Sequence, residues 1–328
     1  MNRLPFTQGS KLQPHCRIRK CNFFHGASSV NDTFFPLHCK MSFSSSKRPV
    51  LAVLGCGTMG VAILKGIHDT LDGGCQEELF PNKFLVTCSR QESKARLTKT
   101  FERNDTEVHC GDNVHVAEVS DIVLLCCKPQ GSKAILTLPG MKEALKNKCL
   151  ISICAGVTIL QMQDWLDPST HVMRAMPNTP CKIRQGMTVL SPASNVDQVY
   201  QQLAFNMFST LGRCRVLEEK HMDAVTALSG SGPAFGCVIL EAFADGGVMM
   251  GLPRDVAIEL AAQAMNGAAR MVLETGAHPA EIKDGVTTPA GSTIAGLLTM
   301  EDGKIRSTLA RTIQEATNVA STLGRKQS

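Results

Sequence analysis

Five apolar residues, Val50 to Leu54, run without a charge into Gly55-Cys56-Gly57-Thr58-Met59-Gly60, and Val61 to Ile67 follow with apolar residues at helical spacing. A buried strand, a G-x-G-x-x-G turn and a helix in that order leave few architectures open. They open a βαβ unit in a parallel sheet, with a dinucleotide pyrophosphate expected at the helix N-terminus. Gly55 is expected to make the tight turn, Gly57 to let the pyrophosphate reach the backbone, and Gly60 to let helix and strand pack closely. Leu54, Cys56, Thr58 and Met59 complete this expected cofactor loop.

Further strands follow at the spacing of such a fold. Phe84 to Arg90 reads as the second, and its tip bears on the choice of nicotinamide. An acid there would hold a ribose 2′-hydroxyl, as NAD enzymes usually do. Ser89 and Arg90 stand there instead, a hydroxyl and a guanidinium suited to a 2′-phosphate. NADPH is therefore the expected cofactor, with NADH as the alternative. The bland reading is that Arg90 only opens a solvated helix with Glu92 and Lys94.

Thr106 to Cys110 reads as a third strand before a short helix, and Asp121 to Cys127 as a fourth that runs into Lys128-Pro129-Gln130. Open α/β sheets bind ligands beyond the carboxyl ends of their strands. Lys128 thus stands where it would serve cofactor or substrate, unless Lys128-Pro129 merely stops the strand. Cys149 to Cys154 is a fifth strand, and Ala155-Gly156 after it leave room for a nicotinamide ring. Val172 to Met176 is a sixth, closed by the double-proline turn Pro177-Asn178-Thr179-Pro180.

Beyond Arg213 to Leu217 the strands stop. Glu218 to Ala227 reads as a helix broken by Leu228-Ser229-Gly230-Ser231-Gly232-Pro233, and Ala234 to Gly251 as a long apolar one. Another starts at Pro253, a favoured first-turn position, and runs to Glu274; a last covers Arg306 to Leu323. Met249, Met250, Leu260, Met265, Met271 and Leu273 make several helical faces apolar, more than so short a segment buries alone, so another subunit is expected against them. Between these helices lies Asp284-Gly285-Val286-Thr287-Thr288-Pro289-Ala290-Gly291-Ser292-Thr293-Ile294. A Pro-small-Gly loop empties there into an apolar helix whose first turn presents unpaired N–H groups. That is a receptor for a small carboxylate, with the Thr293 hydroxyl beside it, although an ordinary capped helix start reads the same way.

Composition narrows the classes. Of 34 Lys and Arg and 29 Asp and Glu, eight and one fall in residues 1–48, so the remaining body is close to neutral and offers no basic face for nucleic acid. No stretch is expected to span a bilayer. The 14 cysteines contain no C-x-x-C and lie largely in apolar strand patterns, which reads as buried thiols rather than a metal site. Residues 1–48, rich in Ser, Phe and Arg, have the composition of a mitochondrial transit peptide; the alternatives are a disordered leader or a translation start at Met41, and the compartment is cytoplasmic or mitochondrial on this reading.

With VLGCGTMG, CCKPQ, ICAGVTI, RAMPNTPC, DAVTALSGSGPAF, ADGGVMMGLPR and KDGVTTPAGSTIAGL in place, residues 49–323 resemble a pyrroline-5-carboxylate reductase. The resemblance implies an α/β chain: a Rossmann-type dinucleotide-binding domain over 49–217, then an all-α dimerisation and substrate domain over 218–328. It implies NAD(P)H-dependent reduction of 1-pyrroline-5-carboxylate to L-proline by interlocked homodimers, assembled further into decamers. Carried over residue by residue, Leu54 to Met59 hold the pyrophosphate, and Ser89 and Asn113 face the adenosine ribose and its phosphate. Cys126, Cys127, Lys128 and Pro129, with Cys154, Ala155 and Gly156, face the cofactor's middle and nicotinamide. Glu219, Ser292 and Thr293 meet the substrate, Thr293 as the catalytic hydroxyl. Two positions depart from the family pattern: Gly285 where Asn is frequent and Ala290 where Gly is usual. The competing readings are a β-hydroxyacid-dehydrogenase-type enzyme and a non-catalytic NADP-binding sensor.

Overall fold

The computed structural model describes residues 48–75 and 80–323. The leader reading therefore lies outside the described residues, apart from Arg48. Eight strands form one sheet: β1 Val50–Leu54, β2 Lys83–Cys88, β3 Thr106–Cys110, β4 Ile122–Leu125, β5 Cys149–Ser152, β6 His171–Met176, β7 Gly186–Pro192 and β8 Gly212–Val216. Their order is β3-β2-β1-β4-β5-β6-β7-β8, parallel except where β7 runs against β6.

The helices around the sheet are α1 Thr58–Asp72, α2 Gln91–Thr100, α3 Asn113–Glu118, α4 Ser132–Leu136, α5 Met141–Ala144, α6 Ile159–Trp165 and α7 Gln198–Ser209. The remainder of the described chain is helical: α8 Met222–Val225, α9 Gly232–Met249, α10 Arg254–Thr275, α11 Pro279–Gly285, α12 Ser292–Asp302 and α13 Ile305–Leu323. This is the expected α/β architecture, a Rossmann-type sheet followed by helices.

The physical cause of the sheet order is visible in the strands. Central parallel strands are covered by helices on both faces and must be apolar throughout. β1, β4 and β5 are buried almost end to end. β8 ends the sheet and alternates, with Arg213 and Arg215 turned outward. Leu54, Ile63, Phe84 and Leu124 are closed from solvent in one continuous core, each contributing about 1.5–3 kcal/mol.

Several expectations needed correction. β7 and the helices α4, α5, α6, α7 and α11 are additional elements. The segment Glu218–Ala227 is not one helix but a 3₁₀ turn at Glu219–His221, then α8, then a π turn at Thr226–Gly230. The Ser-Gly-Ser-Gly-Pro stretch does not break the path: Ser231 N–H reaches Thr226 O at 2.9 Å, one residue further back than in an α-helix, and Pro233 falls in the first turn of α9, where no N–H is needed. Pro253 is the N-cap of α10 rather than its first turn. Finally, Glu219–Met249 forms a continuous helical run of 31 residues, long and apolar enough by length and composition to cross a bilayer, which the separate sequence segments concealed.

Candidate functional site

The sheet order puts β1 beside β4, where the direction of strand succession reverses, and a crevice opens there at the carboxyl ends. Gly55–Gly60 follows β1, Ser89 and Arg90 follow β2, and Asn113 follows β3. Cys126–Pro129 follows β4 and Cys154–Gly156 follows β5. Every predicted cofactor segment thus emerges along one edge from five adjacent parallel strands.

The three glycines of the turn differ in what surrounds them. Gly55 has φ +72°, and a Cβ there would lie 2.8 Å from Cys127 Cβ, so the turn is packed against the end of β4. A Cβ on Gly60 would come within 3.0 Å of Cys56 Sγ and 3.4 Å of Val53, the contact that seats α1 on β1. A Cβ on Gly57 would meet nothing within 4 Å, because that side of the turn is open. Gly57 caps α1 without a side-chain acceptor. The first N–H groups of the helix therefore face the opening with the positive end of the dipole, a cradle that fits a pyrophosphate. Leu54 and Cys56 are buried and contribute backbone; Thr58 is exposed and Met59 half-buried.

Asn113 is oriented by a relay. Gly55 N–H donates to Thr87 Oγ1 at 3.1 Å, and that hydroxyl donates to Asn113 Oδ1 at 2.6 Å. The Thr87 hydroxyl thus bridges the glycine turn to the asparagine, and with its proton on Asn113 Oδ1 the Asn113 amide nitrogen is left for a ligand. Thr87 is the part of this relay that sequence reading missed; its signal was a hydroxyl in an apolar strand. Ser89 and Arg90 lie just beyond the end of β2, both exposed, with Arg90 as N-cap of α2. Arg90 does open that helix, as the bland reading has it. Its guanidinium makes no ion pair among the described residues.

Cys126 is buried, while Cys127 is half-buried and Lys128 exposed before the 3₁₀ turn Pro129–Gly131. Cys127 and Cys154 face one another with sulfurs 3.8 Å apart, and the Cys154 thiol donates to Cys127 O at 3.4 Å. The bond to Cys154, with burial second, pushes the Cys127 thiol up. Burial pushes Cys56 up to about 12. These thiols pack as small apolar groups, and no cluster of metal ligands occurs among the described residues. Gly156 has φ +76°, which turns the chain sharply after β5 beside half-buried Ala155.

Next to this edge lies a cleft of about 540 Å³ lined by Gly156, Thr158, Gln161, Arg174, Glu219 and Lys220, among others. Glu219 Oε1 accepts from Ile159 N at 2.7 Å and from Arg174 Nη1 at 2.9 Å. One oxygen of the predicted substrate residue is therefore committed to the start of α6 and to β6. Oε2 has no partner among the described residues. Sequence reading passed over Arg174; its signal was one charge inside Val172–Met176.

Ser292 and Thr293 open α12, whose N-cap Gly291 has no side-chain acceptor, so the first N–H groups are unpaired as expected. Ser292 is exposed and Thr293 half-buried. A Cβ on Gly291 would lie 2.5 Å from Thr288 Oγ1, which explains a glycine there. Ala290 holds φ +55°, a left-handed backbone that glycine adopts more easily. A Cβ on Gly285 would meet nothing, so an asparagine has room there. Neither Ser292 nor Thr293 lines the cleft that contains Glu219. The structure brings the predicted cofactor segments to one edge, with Gly156 lining the cleft beside Glu219, and leaves the start of α12 outside that cleft.

Comparisons with known proteins bear on both halves. Residues 219–323 match the family described as pyrroline-5-carboxylate reductase dimerisation, and residues 50–156 match the coenzyme F420-dependent NADP oxidoreductase family. The pyrroline-5-carboxylate reductase of Schizosaccharomyces pombe is 49% identical over 278 residues, 83% of this chain and 98% of that one. The Arabidopsis thaliana enzyme of the same name is 36% identical over 264 residues, 80% of this chain and 91% of its own. Among solved structures, Plasmodium falciparum pyrroline carboxylate reductase with NADP bound superposes with a TM-score of 0.72 at 26% identity, over 84% of this chain and 98% of that one. The Coxiella burnetii pyrroline-5-carboxylate reductase gives 0.74 at 29%, again over 84% and 98%.

Proposed function

This chain belongs to the pyrroline-5-carboxylate reductase family, and we propose how its residues divide the reduction of 1-pyrroline-5-carboxylate to L-proline with NADPH. The observation that carries the reading is the convergence of five strand ends on one edge, beside a cleft that holds a glutamate. The β-hydroxyacid-dehydrogenase and sensor alternatives give way to the relatives just described. The chain acts as an oligomer through its helical segment.

Bound NADPH supplies a hydride from its nicotinamide. The first-turn N–H groups of α1 hold the pyrophosphate at Gly57, and the Asn113 amide and Ser89 meet the adenosine ribose. Arg90 neutralises the 2′-phosphate. Lys128 and Pro129 flank the middle of the cofactor, and Cys154–Gly156 leave a flat surface for the ring. The substrate is a cyclic imine with a carboxylate; hydride adds to the C=N carbon, the C=N electron pair moves onto nitrogen, and a proton already carried there as the iminium, or taken from solvent, completes the amine. Ser292 and Thr293 N–H groups fix the carboxylate, Thr293 Oγ contacts the ring nitrogen, and Glu219 meets the substrate with its second oxygen. Orientation does most of the work, since no nucleophile is required.

Because the α12 start does not line the cleft of its own chain, we assign it to the cleft of a second copy in an interlocked dimer. The exposed apolar faces of α9 and α10 support that reading, and they are read as subunit contacts rather than lipid-facing surface. Assembly of such dimers into a decamer extends it. Steady-state oxidation of NADPH by the purified chain, with the product identified, tests the reaction. Proline formed in step with NADPH consumed is the expected result. NADPH binding without turnover would return the chain to the sensor reading.

A further inference from the structure

Arg174 is 3% exposed on β6, a strand otherwise made of buried apolar residues apart from its first position. A guanidinium taken out of water there costs several kcal/mol, recovered only if its donors are well paired. The pairing is incomplete. Nη1 reaches Glu219 Oε1 at 2.9 Å, and Nη2 is closed from solvent with no partner among the described residues. Such a half-satisfied buried pair is weak evidence of a stabilising role, since well-packed apolar residues in place of both partners often hold a fold as well or better. Stability does not account for this arginine.

Its effect on Glu219 does. Glu219 opens a 3₁₀ turn of three residues, and its neighbours Glu218 and Lys220 pair with each other at 2.6 Å in solvent. A glutamate on such a turn has several rotamers open to it. Here Oε1 is taken from two directions, by the first N–H of α6 and by Arg174, so the carboxylate is tied to the sheet across 45 residues of sequence. In register, Arg174 stands opposite Ser152, two residues before Cys154 and four before Gly156. The tie is made at the end of the sheet where the nicotinamide residues emerge.

We propose that Arg174 is a positioning residue of the reduction site, acting through Glu219 to present its free oxygen Oε2 to the substrate in the cleft. The inference rests on the assignment of Glu219 to the substrate. Steady-state kinetics of the full chain, with NADPH affinity and thermal stability measured alongside, separate the two. Glu219→Gln raises KM for 1-pyrroline-5-carboxylate by about tenfold and leaves NADPH affinity unchanged. Arg174→Met does the same, and the double variant is no worse than either single one, because both remove one function. Arg174→Lys, which keeps a charge and a donor, recovers part of the loss. If Arg174→Met fails to fold, Arg174→Lys alone and in the Glu219→Gln background carries the comparison, with an effect expected only when Glu219 is present.

An unchanged KM in the Arg174 variants, or losses that multiply in the double variant, would overturn the inference while leaving Glu219 at the substrate. An unchanged KM in Glu219→Gln would remove the assignment and the inference together.

Discussion

Leu51, Leu54, Ile63 and Phe84 in the sheet are closed from water, whereas Val238 on α9 stands 65% exposed, Met249 at its end 81%, and Leu260 on α10 55%. The two regions are built from the same kinds of side chain. They differ in where the complementary surface is found. Each strand of the sheet finds its partners and covering helices within one chain, so the cofactor edge is complete in a single copy. The long helices pack on one another along one side and leave the other bare. The dimerisation segment of the family accounts for a second surface from another copy, and the α12 start, the proposed carboxylate receptor, sits in that unfinished half.

That contrast can be broken most severely at the bare faces. Val238→Glu places a charge where a subunit contact is expected, and an unpaired buried charge is too costly to keep. Dissociation to monomers by analytical ultracentrifugation is expected, with catalytic efficiency down on the order of a hundredfold. NADPH should still bind. Loss of NADPH binding in a well-folded monomer would show that the sheet is not self-sufficient.

Within the completed half, two glycines separate fold from ligand. Gly55→Ala combines a left-handed backbone with a clash against Cys127, and should cost about 2–4 kcal/mol in a denaturant titration. Gly57→Ala meets nothing in the protein, so stability should stay within about 0.5 kcal/mol. NADPH affinity should nevertheless fall, because the methyl group occupies the pyrophosphate's approach. Equal stability losses in both variants would contradict the open side of the turn.

Thr293→Ala should lower kcat/KM roughly tenfold with stability and NADPH affinity intact. Unaltered kinetics would remove Thr293 from the reaction. Arg90→Asp should move the NADPH-to-NADH preference toward NADH by a few fold, and a constant ratio would mean that Arg90 does not read the phosphate. The smallest effect is expected at Ala290→Gly. Relief of the left-handed strain outweighs the extra freedom of glycine by less than about 1 kcal/mol, seen as a slight rise in melting temperature.

What the sequence disclosed follows the same division. The β1 turn was legible because strand, glycines and helix are contiguous and each glycine acts locally. The strand ends were legible within one or two residues because buried parallel strands are apolar runs. β7 escaped notice because it is bracketed by Gly186 and Pro192, residues that usually mark loops. The π turn at Thr226–Gly230 escaped because Ser-Gly-Ser-Gly-Pro normally ends a helix. The Arg174–Glu219 tie depends on bringing β6 against a turn 45 residues later, which no local pattern encodes. That α12 does not reach its own chain's cleft is a property of tertiary geometry, invisible in a sequence of good N-cap signals.

Each proposed reduction site joins the cofactor edge of one chain to the α12 start of another. This pairing is tested by mixing two disabled variants. Gly57→Asp opposes the pyrophosphate, and Ser292→Asp opposes the substrate carboxylate while suiting a helix N-terminus. Each alone should be inactive. After joint refolding with random pairing, half of the dimers are mixed and each of those has one intact site, so about a quarter of normal activity should return. Mixed dimers, verified by mass, that show no activity above the parents would place the whole site within one chain and contradict the account.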